Sequence, residues 1–197
     1  MSTRKSPFYT VLGVVFGLIV LAGGAAKFYR GLSGLTSTGL NPKVKTLLEE
    51  SDAAIAVANQ QTSTVVPAFQ QLLTDFDTLG VANFRAERRE ACATLTDQYT
   101  TINDQLQTAS NKIKEAIKLG IDANTTAFLD ARSKSYSLLV DVTKHNLDII
   151  RTLLDESVVD TDAIVAKVQS IAENRALAEK AANEATAAAD ALLKRPS

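Results

Sequence analysis

A stripe at alternating spacings of four and three runs unbroken through Val44, Leu48, Ser51, Ile55, Ala58, Thr62, Val65, Phe69, Leu72, Phe76 and Leu79. Only a helix of about 3.6 residues per turn puts all of these on one face, and an apolar face that long has to be covered. The chain must therefore supply further helices with matching stripes. Phe84, Arg88, Cys92, Leu95, Tyr99, Ile102, Leu106, Ala109, Ile113 and Ala116 make a second, and Phe128, Ala131, Leu138, Val142, Ile149 and Leu153 a third. Ile164, Val168, Ile171, Arg175, Ala178, Ala182, Ala185, Ala189 and Leu192 make a fourth.

Local signals separate the stripes. Asn41 followed by Pro42 is an N-cap with proline at the first helical position, Gly80 and Gly120 are stops, and Asp122 or Asn124 and then Asp160 open the later helices. Pro67 lies off its stripe and predicts a kink near residues 63–67. The pattern predicts helices over about 42–79, 83–119, 123–155 and 161–194, each about 50 Å long at 1.5 Å per residue. Short connections make neighbours antiparallel. The fold class that follows is all-α, an antiparallel up-down-up-down four-helix bundle over 42–195 preceded by an N-terminal transmembrane helix.

That spanning segment is residues 8–26, which carry no charge and lie between Arg4 and Lys5 on one side and Lys27 and Arg30 on the other. A hydrocarbon core takes about 20 apolar residues to cross as a helix, because each backbone polar group must find its partner inside the segment. Residues 1–7 are a short polar head and 27–41 a flexible tether rich in Gly, Ser and Thr. Membrane lipid is thus an expected partner through 8–26, and a bundle on the extracytoplasmic side is the expected orientation. A cytoplasmic bundle, or secretion after cleavage near Ala26, are the alternatives.

No acid occurs before Glu49, so all 22 acidic residues of the chain lie from Glu49 onward, while the 21 basic residues are shared between both parts. The helical region is therefore acidic and is repelled by phosphate backbones, and no nucleic-acid partner is expected. Cys92 and His145 are the only residues of their kinds and Trp is absent. This composition offers no zinc ligand set, no nucleophile with a base, and no aromatic cage. We expect no catalytic, metal or cofactor-binding residues, a protein that is not an enzyme, and a protein partner or self-association as its mode of action.

Two groups of polar residues stand out against that background. At the end of the bundle away from the tether, the first hairpin carries Arg85, Arg88 and Arg89, and the second carries Asp155, Glu156, Asp160 and Asp162. These charges either pair with each other or form a docking tip on which Arg85 and Arg89 point outward. Half-way along, Thr62 to Val65, Gln98, Asp141 and Arg175 fall at one height. Arg175 interrupts an apolar stripe, so it needs a carboxylate, for which Asp141 is the expected partner, with His145 and Asp148 close by. This layer sets the register of the helices or, alternatively, binds a small ligand in a sensory bundle.

Overall fold

The computed structural model describes residues 41–192. Among the described residues the chain is all-α, with three helices: α1 (Pro42–Ile117), α2 (Ala123–Leu154) and α3 (Thr161–Leu192). The expected spanning segment at 8–26, nearly all of the tether, and residues 193–195 lie outside the described residues. No helix among the described residues is long and apolar enough to cross a membrane.

The capping residues act where their chemistry places them. Asn41 Oδ1 accepts from the Lys43 amide at 2.9 Å, with Pro42 beginning α1. Asp122 rather than Asn124 caps α2, accepting from the Thr125 amide at 2.9 Å and from its hydroxyl at 2.6 Å, and these bonds hold the Asp122 carboxyl below its ordinary pKa. Asp160 Oδ1 accepts from the Asp162 amide at 3.0 Å and its carbonyl from Ile164, which starts α3. Each side chain satisfies a donor that the first turn of a helix cannot pair internally.

The first two expected helices are not separated by a loop. They are arms of α1, which departs from helical dihedrals only at Gly80, where φ is 71° and ψ 166°. A left-handed φ of this kind is open to glycine and costly for any residue with a Cβ. Across that point the chain reverses, and the outgoing arm (42–79) packs on the returning arm (81–117). Phe76 meets Phe84 edge-on at 5.1 Å between ring centroids, and Phe69 meets Tyr99 at 5.5 Å. Each such pair contributes about 1 kcal/mol beyond the area it buries. Nearer the other end, Glu50 and Lys112 join the arms at 2.7 Å. The kink expected at Pro67 is not found in the dihedrals, which remain helical through it.

Helix α2 packs along both α1 and α3, whereas the backbones of α1 and α3 scarcely approach one another. A run of serines explains how close the packed helices come. Ser51 Oγ donates to the Ala109 carbonyl at 3.1 Å, Ser110 Oγ to the Ser133 carbonyl at 3.3 Å, and Ser135 Oγ to the Ala182 carbonyl at 3.3 Å. Because Ala109 adjoins Ser110 and Ser133 is two residues from Ser135, the three bonds make one continuous belt across all the helices. Small side chains at these crossings let one helix reach the carbonyls of the next, and each bond adds about 1 kcal/mol. The alanines of α3 do the same, with Ala182, Ala185 and Ala189 buried.

No atom stands within 4 Å of a Cβ added at Gly80. A Gly80→Ala substitution should therefore cost only backbone strain, about 1–3 kcal/mol. Urea unfolding followed by circular dichroism will show a lower midpoint with an unchanged slope; an unchanged midpoint would mean that the turn does not hold this conformation.

Candidate functional site

At the end of the molecule where α1 turns, the charges are mostly bound to the structure. Arg85, 9 % exposed, donates from Nε to the Leu153 carbonyl at 3.0 Å and from Nη2 to the Val158 carbonyl at 2.9 Å. Leu153 lies in the last turn of α2, where carbonyls lack partners in their own helix and the macrodipole is negative. The guanidinium answers both needs and pins the α2–α3 connection against α1. Arg85 is thus buried, contrary to an outward-pointing role.

Arg88 Nε donates to Asp75 Oδ2 at 2.7 Å, tying the two arms of α1 together next to Gly80. Arg89 is exposed and pairs with Glu156 on the α2–α3 connection. Asp155 accepts from the amide and hydroxyl of Ser157, which hold its carboxyl below the ordinary value. Asp160 is the α3 cap, and Asp162 stands exposed in that helix's first turn, where a negative charge is favourable. The structure therefore brings Arg85 and Arg89 together with the 155–160 connection and leaves Arg88 with Asp75.

Beside these groups Val159 is 80 % exposed, on a connection that Arg85 holds through the neighbouring Val158 carbonyl. An open groove of about 630 Å³ runs alongside between α2 and α3, lined by Leu154 and Ile171 and by Asp148, Arg151, Asp155 and Lys167. Sequence reasoning did not single out Val159. The available signal was a pair of valines, Val158 and Val159, set among acids in a connection too short to have a core of its own.

The mid-bundle layer has different members from those expected. Arg175 is fully buried, and its Nε donates to Asn146 Oδ1 at 2.9 Å while Nη1 lies 3.1 Å from Glu179 Oε2. Burial pulls the Arg175 pKa down and the Glu179 carboxyl up, and their mutual attraction opposes both shifts. Tyr99, also buried beside Arg175, has its hydroxyl pushed far up by desolvation. Asp141, the expected partner, is exposed and lies 3.4 Å from Lys144. Gln98 and His145 are half-buried, each one residue before the true member, and Asp148 pairs with Arg151 at 3.0 Å. One residue is about 100° around a helix, which moves a side chain from the interior to its edge.

A third polar group, missed entirely from the sequence, lies near the serine belt: Asp52 on α1, Arg132 and Tyr136 on α2, and Asp190 on α3. Among the described residues no group of three or more His, Cys, Asp or Glu could hold a metal ion. The Cys92 thiol is buried, which pushes its pKa up to about 11 and away from the reactive thiolate. Compared with known protein families, with curated proteins and with solved structures, the chain matches none.

The two buried arginines yield separate stability tests. Arg85→Leu removes both donors from the Leu153 and Val158 carbonyls and should cost about 2 kcal/mol. Glu179→Gln leaves a buried guanidinium without its carboxylate and should cost about 3 kcal/mol. Thermal unfolding of both variants beside the parent chain measures these losses; a loss in Glu179→Gln below that in Arg85→Leu would show that Arg175 does not depend on Glu179.

Proposed function

We propose that this chain is a membrane-anchored, non-enzymatic protein-interaction module. In this reading residues 8–26 hold it in the bilayer, 27–41 form the tether, and the helical arms of α1, α2 and α3 make a bundle that carries a docking tip away from the anchor. The observation that carries the reading is Val159, exposed on a connection that Arg85 locks to α1. An apolar side chain presented by an immobilised segment loses little entropy when a partner covers it. Asp162, exposed nearby in the first turn of α3, favours a partner whose contacting surface is basic at its rim.

Support for a structural role comes from how the polar residues are used. Serine hydroxyls, Arg85 and Arg88 join helix to helix, so side chains that could act on a substrate instead stiffen the bundle. A second reading, a sensory or small-ligand-binding bundle, rests on the mid-bundle layer. There Tyr99 Oη and Asn146 Nδ2 are buried with no hydrogen-bond partner among the described residues. A small polar ligand reaching both would raise the melting temperature.

A photoreactive residue placed at position 159 of the full chain in its native membrane distinguishes these possibilities. The tip reading expects one dominant cross-linked product, lost in a chain that also carries Asp162→Lys. A product of twice the chain mass identifies self-association. Equal, diffuse cross-linking from position 159 and from the exposed Leu177 would overturn the tip reading.

A further inference from the structure

The Asp52 group has a feature that neither the tip nor the mid-bundle layer shares: two carboxylates, Asp52 and Asp190, compete for one guanidinium under unequal access to water. Arg132 Nη2 lies 3.2 Å from Asp190 Oδ1, with the Arg132 side chain largely buried and its guanidinium 5.8 Å above the Phe128 ring centroid. Asp190 is half exposed, at 50 % of its side chain, and lies two residues from the end of α3. Asp52 is 8 % exposed, and its Oδ2 and the Arg132 Nε are both buried without a hydrogen-bond partner among the described residues.

We infer that Asp52 is a proton-operated latch for the C-terminal end of α3: protonated, it leaves Arg132 on Asp190; ionised, it draws Arg132 away and frees the end of α3. The asymmetry of solvation decides the contest. A carboxylate at Asp190 is hydrated at little cost once Arg132 leaves, whereas Asp52 keeps only 8 % exposure and has its Oδ2 buried, so its ionised form gains more from pairing. The geometry seen, with Arg132 on Asp190 and Asp52 Oδ2 without a partner among the described residues, is the arrangement the inference assigns to the protonated state.

The groups facing Asp52 are few. Glu49 on its own arm adds a repulsive charge, Arg132 and Tyr136 face it from α2, and Asp190 reaches it from α3 through Arg132. On the returning arm of α1, Lys112 is engaged with Glu50 and does not serve Asp52. Desolvation outweighs the attraction of Arg132 and lifts the Asp52 carboxyl to about 7 from an ordinary 3.8. Since the folded value lies above the unfolded one, protonated Asp52 contributes stability in full below about pH 4, and that contribution is lost as pH rises through about 7.

Hydrogen exchange of the backbone amides at residues 186–192 in the full chain, corrected for intrinsic base catalysis, reads the latch directly. Between about pH 5.5 and about pH 8.5, protection there should fall roughly fivefold in the parent chain. Asp52→Asn, a neutral isostere, should keep high protection at both values. Asp190→Asn should show low protection at both, which also decides the matter if Asp52→Asn fails to fold. Protection that does not change with pH in the parent chain, or that falls equally in Asp52→Asn, overturns the inference.

Discussion

An apolar stripe on a helix is stable only when another stripe covers it, and the architecture of this chain follows from that requirement. α1 carries two stripes on one helix of 76 residues, so it must fold back on itself to bury either. Gly80 permits the reversal by adopting a conformation that other residues resist. Phe76 and Phe84 close the turn, and the arms then run side by side as far as Glu50 and Lys112. With α1 folded, α2 has a surface to pack on, and α3 in turn packs on α2.

Polar residues inside such an assembly have to be satisfied in place, and here they are organised in levels along its length. Arg85 binds the end of α2 and the start of the next connection, Arg175 meets Asn146 and Glu179 half-way, and the serine belt lies toward the end where the chain enters α1. Each level joins elements far apart in sequence, and a buried polar contact tolerates no slip of one helix past another. Register is therefore fixed at several heights at once. The Asp52 and Arg132 level differs in leaving a carboxylate oxygen without a hydrogen-bond partner among the described residues, and on the inference above it responds to the proton concentration.

The same contrast separates fixed parts from presented ones. The tip acids that expected to meet basic partners are partly consumed, Glu156 by Arg89 and Asp155 by Ser157, and Asp160 by the start of α3. What remains exposed there is Val159, Asp162 and the groove between α2 and α3, beside charges that bind within the structure. The proposed interaction role rests on this exposed apolar side chain and the bonds that hold its segment.

Periodicity and capping chemistry alone determined that the described residues are helical, that Asn41 and Asp160 begin helices and Asp122 or Asn124 another, and that Arg175 lies in a buried stripe. These are local properties, set by 3.6-residue repetition and by the unpaired amides of a first turn. Tertiary structure decided which neighbour each polar residue meets. In α2 the serines and Arg132 interrupt the apolar pattern, so its phase was ambiguous by about one residue, enough to exchange Asn146 for His145 and, on α1, Tyr99 for Gln98. The serine belt and the Asp52 group were illegible for a related reason. A serine or an aspartate beside a stripe looks solvated until the facing helix is in place, and only the distance between helices determines whether its partner is water, a carbonyl or an arginine.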